Sequence, residues 1–329
     1  VLFRSAYDRA KLLAEESDVI IVGSAPNIFV DIRMKHNKLT FKYTERFFKK
    51  GTYRRFIPST RKKIYDGYAK YSRSNLHVLC ASAYTSYDLS VCGMKDKTYK
   101  WGYFPEVKNH DLDALIKNKN KNKVPKLLWV GRFLDWKHAD DSIKVAHILK
   151  NEGYEFTLDI IGTGDMESNL KGLIINYQLS DRVKLLGSMK PEEVREHMES
   201  ANIFLFTSDF NEGWGAVLNE AMNSGCAVVA SHAIGSVPFL ISNKKNGLIY
   251  KYGDLKKMHQ SVKMLLDNSE LCKQLGKEAY KTLEQTWNAK EAAKRFISLS
   301  ESILKDEKIK FEEGPCSKAE IIKNNWYRE

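Results

Sequence analysis

Short, continuously apolar runs alternate along the chain with longer amphipathic stretches, and most runs are closed by glycine or a polar turn. In the C-terminal portion the runs are LLWV (127–130), FTLDIIG (156–162), VKLLG (183–187), IFLFT (203–207), AVVAS (227–231) and GLIY (247–250). Between them the spacing predicts helices near 140–150, 166–177, 191–201 and 215–224. Ile143, Ala146, His147 and Leu149 are candidates for the buried face of the first, and Pro191 suits the first turn of the third. Strands apolar on both faces and separated by helices predict a parallel sheet covered on both sides, the doubly wound α/β class.

The N-terminal portion is less regular but of the same kind, with strands predicted at DVIIVG (18–23), LTFKY (39–43) and LHVLCAS (76–82) and basic loops and helix ends, KKGTYRR and STRKK, between them. The segment KNHDLDALIKNKNKNK is polar and charged, and its composition predicts a linker. The expected domains are therefore 1–108, a linker over 109–124, and 125–304 with closing helices from Asp254 onward. A tail over 305–329 is expected either to dock or to fray, with no strand after Tyr250. The opening VLFRS lacks Met and runs straight into a helical pattern, which suggests a truncated reading frame. Two such domains would enclose a cleft between two sets of strand carboxyl ends, where open α/β sheets bind ligands.

Composition narrows the classes. The chain has 329 residues, 43% of them hydrophobic and 29% charged, and no apolar run approaches the length a membrane-spanning helix needs. Five dispersed cysteines without CxxC spacing argue against a disulfide scaffold or structural zinc and favour a cytoplasmic setting. The formal net charge of +12 favours anionic partners. Because the basic residues are spread along the chain with no recognisable nucleic-acid motif, nucleic acid is disfavoured.

Candidate chemistry gathers at three strand ends. In GRFLDWKH (131–138), Gly131 allows a sharp exit, while Arg132 and Lys137 place two cations on one loop, a pairing suited to a diphosphate. In IGTGD (161–165) the glycines, Gly162 among them, would let backbone approach a ligand. No third glycine and no acidic strand end follow, which disfavours NAD. In NEGWGAVLNEAMNSG (211–225), Glu212 is expected on a cleft-facing loop. Gly213 and Gly215 would leave amides free to meet an anion at the helix start. Glu220 is expected about five residues into the helix. Two carboxylates raise a glycoside hydrolase as an alternative, but their separation along the helix suits the two ends of one long ligand better.

The order and spacing of GR-x4-K, I-G-x-G, V-x-x-L-G, E-G-x-G-x-x-x-x-E-A and S-G-x-x-V-V-A resemble glycosyltransferase family 4, over roughly residues 125–250 and more loosely over 76–106. In particular the chain resembles bacterial capsular, exopolysaccharide and lipopolysaccharide glycosyltransferases. The resemblance implies the GT-B fold, two doubly wound Rossmann-like domains facing across a cleft. It implies a retaining hexosyltransferase that moves sugar from a nucleoside diphosphate sugar to a glycan or lipid-linked acceptor. By match, Glu212 would lie by the donor sugar as the catalytic residue. Arg132 and Lys137 would hold the diphosphate and Glu220 the ribose, with Gly131, Gly162, Gly213, Trp214, Gly215, Ala216 and Val217 around the donor. Backbone of Gly187, Ser188 and Met189 would border the base. The resemblance implies no metal and no cofactor, and neither Asp140-Asp141 nor Asp165 makes a metal motif.

The chain departs from the pattern at His138, where the loop lysine is usually followed by glycine, and at Phe239, where many members carry Glu. At the N-terminal side Glu45 stands where a histidine would be expected near the acceptor. An acceptor role and a salt bridge to Arg46 or a neighbouring lysine are both open to it. His77, His147 and His197 read as structural, while His232 is placed to see the cleft. Basic, aromatic-bearing segments such as FFKKGTYRR suggest a peripheral place on the anionic cytoplasmic face of a membrane. A chain that binds nucleotide sugar without turnover is the remaining alternative.

Overall fold

The computed structural model describes residues 2–119, 121 and 124–328. Two compact units divide the chain: one runs to Tyr103 and takes in Lys290–Arg328, and the other is Phe104–Ala289. This differs from the expected division at both ends. The first boundary falls earlier than 108, and the last helix with its tail joins the first unit instead of closing the second. Residues 120, 122 and 123 of the expected linker lie outside the described residues, as do Val1 and Glu329.

In the first unit four parallel strands, β1 (Ile20–Val22), β2 (Thr40–Thr44), β3 (Leu76–Cys80) and β4 (Thr98–Lys100), follow one another across the sheet in chain order. The strand β4 is a TYK tripeptide, too short to leave a periodic signal. Its backbone is matched by the C-terminal tail: Lys100 N donates to Ser317 O (2.8 Å), Cys316 N to Lys100 O (2.8 Å) and Ala319 N to Thr98 O (2.9 Å). The helix Ala289–Leu304 closes the same core, setting Phe296 edge-on to Phe41 (4.9 Å) and to Trp101 (6.0 Å). Leu299 and Cys316 are buried with Leu39, Phe41, Leu79 and Tyr99. The tail is thus docked.

In the second unit six parallel strands are β5 (Lys126–Val130), β6 (Thr157–Ile161), β7 (Val183–Gly187), β8 (Ile203–Phe206), β9 (Ala227–Ser231) and β10 (Leu248–Tyr250). Their order is β10-β9-β8-β5-β6-β7. The chain winds outward from β5 to β7, then returns to the other side of β5 for β8 to β10. That reversal makes the sheet doubly wound, and the β5/β8 neighbourhood is its switch point. The strand order of the first unit has no such reversal among the described residues.

The stretch expected to be linker contains a helix, Leu112–Lys119, that is anchored to the second unit. Leu115 and Ile116 are buried, and the ammonium of Lys119 donates to the carbonyls of Met198 (2.7 Å) and Ala201 (2.5 Å). Two apolar residues and one buried, carbonyl-bound lysine hold it, so its polar composition conceals a packed helix. None of the described helices is long and apolar enough to cross a membrane.

Candidate functional site

The loops at the switch point are bonded to one another. After β5, Gly131 N donates to Ile161 O (3.0 Å) and Phe133 N to Thr163 O (2.8 Å). After β6, Gly162 N donates to Gly187 O (2.8 Å) at the end of β7. A Cβ on Gly162 would lie 1.8 Å from Gly131 O, and one on Gly164 would lie 2.6 Å from Phe133 O. These two glycines therefore let one loop approach another, which accounts for them without a ligand. Gly187 has φ +73° with open space around it, while Ser188 is exposed and Met189 half-buried.

Lys137 ends a 3-10 turn, Asp135–Lys137, whose backbone is tied to the loop after β8. Thr207 Oγ1 donates to Lys137 O (2.6 Å) and accepts from Trp129 Nε1 on β5 (2.8 Å), and Asp209 N donates to Trp136 O (3.0 Å). So held, the Lys137 ammonium forms an ion pair with the buried carboxylate of Glu212, which also accepts from Ser208 Oγ (3.2 Å). The guanidinium of Arg132 is exposed and makes no hydrogen bond or ion pair among the described residues.

His138 has φ 51°, the left-handed conformation that glycine adopts freely, and it caps the helix Ala139–Asn151. Its Nε2 lies 3.8 Å from Asp209 Oδ2, and that carboxylate raises the His138 pKa against the effect of burial. Burial would lift the Asp209 carboxyl, but His138 and the amide groups of Asn211 outweigh it and hold it below its ordinary value. Asp140 and Asp141 are both engaged by Lys144 (2.6 and 2.9 Å).

The helix expected over 215–224 is Val217–Asn223, so Glu220 belongs to its first turn and not to its interior. Gly215 has φ +81°, and a Cβ there would strike the Phe206 ring at 2.3 Å. The amides of Gly213, Gly215, Ala216 and Val217 donate to no acceptor among the described residues. They form a short run of unengaged donors directly after Glu212. The Trp214 side chain turns away from this run. It is fully buried, donates from Nε1 to Asn219 Oδ1 (2.9 Å), and packs tilted against the stacked rings of Phe239 and Trp287 (6.3 and 5.9 Å). Any donor contact from Trp214 is left to its main chain.

Glu220 lines a cavity of about 220 Å³ with Glu106, Lys108, Pro191, Glu192 and Arg195. Burial lifts its carboxyl above the ordinary value, and Arg195 pulls it partly back. Arg195 was not among the residues singled out from the sequence. It is buried and donates from Nη2 to Asn223 Oδ1 (2.5 Å), while its Nε has no partner among the described residues. The signal that could have found it is its place three residues before buried Met198, on the inner face of the helix Pro191–Ser200.

Glu45 forms an ion pair with Lys49 and accepts from Tyr103 OH (2.7 Å), whereas Arg46 pairs with Asp88 (3.6 Å). His232 Nδ1 accepts from the Tyr252 amide (2.9 Å) and its ring meets Phe210 edge-on, which describes a core histidine. His77, whose pKa burial lowers to about 4, lies between Tyr99 OH (3.2 Å) and Asn75 Oδ1 (3.0 Å). His147 stacks on Tyr177, and His197 lies 3.3 Å from Asp159. Among the described residues no group of three or more His, Cys, Asp or Glu side chains is arranged to hold a metal ion.

A parallel α/β architecture of this kind is shared with solved glycosyltransferases of the GT-B fold. A lipopolysaccharide outer core galactosyltransferase, WaaB, superposes with a TM-score of 0.68 at 19% identity, covering 93% of this chain and 81% of that one. The Anabaena protein HepE, solved in complex with UDP, superposes with a TM-score of 0.67 at 15% identity, covering 91% and 80%. The family described as "Glycosyl transferases group 1" matches residues 112–282, and the chain belongs to it. Among curated relatives, the amylovoran biosynthesis glycosyltransferase AmsK of Erwinia amylovora is 37% identical over 134 residues, which cover 39% of this chain and 33% of that protein. The chain spans between a third and a half of the length of the first such relatives.

Proposed function

We propose that the second unit binds a nucleoside diphosphate sugar and that the chain transfers its sugar, with retention, to a hydroxyl of a glycan or lipid-linked acceptor in surface polysaccharide biosynthesis. The observation that carries this reading is the Lys137–Glu212 ion pair, which joins two loops at the switch point beside four unengaged amides. Anion donors and one carboxylate side by side suit a ligand with a phosphate end and a hydroxyl-bearing end. Relatives named for polysaccharide biosynthesis and a neighbour solved with UDP support the same substrate class.

In the mechanism, Arg132, Lys137 and the amides of Gly213, Gly215, Ala216 and Val217 take the charge of the departing diphosphate. The anomeric carbon–oxygen bond to that diphosphate breaks while the acceptor oxygen bonds to the anomeric carbon on the same face. The acceptor proton passes to the leaving diphosphate oxygen. Glu212 orients the sugar hydroxyls and stabilises positive charge at the anomeric carbon, and fixed charges of this kind do most of the work. Glu220 accepts from the ribose hydroxyls, and main chain at 187–189 borders the base. The setting is cytoplasmic, at the membrane face where a lipid-linked acceptor would be presented.

Because only ionised Glu220 accepts from both ribose hydroxyls, nucleotide affinity should fall as pH drops through its pKa, which stands above the ordinary carboxylate value. Arg195 is the charge that opposes the lift, while Glu106, Lys108 and Glu192 line the same cavity. Arg195→Gln should move the affinity midpoint to higher pH, because the cation that pulls the Glu220 carboxyl down is removed, as measured by nucleoside diphosphate titrations across about pH 4–8. An unmoved midpoint would separate Arg195 from Glu220.

Release of free nucleoside diphosphate, with and without candidate acceptors, tests the reaction. Acceptor-dependent release supports transfer. Donor binding without release under any acceptor supports the non-turnover alternative, and cleavage of aryl glycosides without nucleotide supports a hydrolase.

A further inference from the structure

Outside the donor site, the most distinctive surface lies in the first unit, over residues 47–67. This stretch carries seven lysines and arginines and one acidic residue, a net +6, half of the charge of the whole chain. Three of its five aromatic side chains project into solvent: Tyr53 is 62% exposed, Phe56 67% and Tyr65 57%. Tyr53 and Phe56 lie three residues apart on the 3-10 turn Thr52–Phe56, a spacing that places two side chains on the same side of such a turn. On the following helix, Pro58–Gly67, Ile64 and Gly67 face inward while Arg61, Lys62, Lys63 and Tyr65 are exposed.

The surface is built on a fixed base. Asp88, fully buried, accepts from the amides of Phe47 (2.7 Å) and Phe48 (2.9 Å) at the start of the stretch. Phe48 is fully buried, and Phe47 stands edge-on to Tyr68 at 5.3 Å. Arg55 donates to Tyr87 OH (2.9 Å) and lies over the Phe56 ring at 4.7 Å. Exposing two large rings to water on a braced turn leaves apolar area without a partner, which points to a surface that is covered in use.

The geometry points to this face as a docking surface for an anionic lipid bilayer, with Tyr53 and Phe56 entering the headgroup layer, Tyr65 at its edge, and the surrounding lysines and arginines on lipid phosphates. Charge complementarity selects the partner: aromatic rings amid cations match an interface that is anionic outside and apolar a few ångströms deeper. Base stacking on a nucleic acid would ask for rings lining a basic groove, whereas these rings stand exposed on a short turn and the outer face of a helix. The inference does not depend on the donor site, which lies in the other unit.

Vesicle co-sedimentation tests it, using phosphatidylcholine alone and phosphatidylcholine with about one-third phosphatidylglycerol. The chain should sediment with the anionic vesicles only, and less so at high salt. Tyr53→Ser with Phe56→Ser should lower partitioning about tenfold while leaving retention on heparin unchanged. Lys50→Glu with Lys63→Glu should lower both, by about fivefold per charge. Tyr65→Ser, on a separate element, should give a smaller loss in the same direction. All these side chains are exposed, so unfolding temperatures should not move. Equal binding to neutral vesicles, an aromatic double variant that binds like the parent, or retention on heparin or RNA without vesicle binding would each overturn the inference.

Discussion

Glu212→Gln should lower the transfer rate by at least about a hundredfold while tightening, not weakening, the binding of free nucleoside diphosphate. The carboxylate carries two tasks at once. It neutralises Lys137 across the two loops, and it is the buried negative group at the sugar end of the proposed donor. An amide preserves shape and can still accept from Ser208, but it supplies no charge to an oxocarbenium-like carbon. The lysine it releases is free to pair with phosphate, worth up to about fivefold in affinity. Calorimetric titration with nucleoside diphosphate and a release assay read the two effects separately. Parallel losses of binding and rate would mean instead that Glu212 only braces the loop.

Gly162→Ala should be among the most damaging single methyl additions to the second unit. Its Cβ would sit 1.8 Å from Gly131 O and 2.9 Å from Gly131 C, and the residue has φ +142°. Gly131 cannot easily withdraw, because its amide is bonded to Ile161 O (3.0 Å) and it leads into the loop that bears Arg132 and Lys137. The clash and the strain together should cost about 3 kcal/mol or more, or a fall in unfolding temperature of about 6–12 °C for a unit of this size. Gly187→Ala is the control. Its φ is +73° with nothing near the added carbon, so strain alone, about 1–2 kcal/mol, applies. Equal effects at the two positions in thermal unfolding would show that loop-on-loop packing does not set the need for glycine.

Much of the second unit could be read from the chain because its strands are buried on both faces and appear as unbroken apolar runs. LLWV, AVVAS and their neighbours needed no tertiary information. The tripeptide at Thr98–Lys100 left no such signal, since it becomes a strand only through pairing with β3 and the distant tail at 316–319. The helix Leu112–Lys119 was hidden for a similar reason: its polar surface dominates its composition, while three side chains hold it down. At the site, Lys137, Glu212 and Glu220 stood out in the sequence as candidates, from their loops and from the resemblance. That Lys137 meets Glu212 was not, because the pair spans 75 residues and depends on Thr207 and Trp129 fixing the turn. Arg195 went unnoticed because, on the surface-looking helix PEEVREHMES, its one signal is the spacing to Met198, and its partner Asn223 lies 28 residues away. The departure at His138 acquires a physical meaning only from its dihedral angle: it occupies a left-handed position that glycine would fill without strain.

The central claim, that the second unit is built around a nucleoside diphosphate, is tested most directly by thermal unfolding with UDP, GDP and ADP and by repeating the scan with Lys137→Met and Glu220→Gln. At a ligand concentration about a hundred times the dissociation constant, specific binding should add about 2.7 kcal/mol to stability. One nucleotide should therefore raise the unfolding temperature clearly above the others, and both variants should lose most of that shift. No stabilisation by any nucleoside diphosphate or its sugars, or a shift that both variants retain in full, would contradict the account.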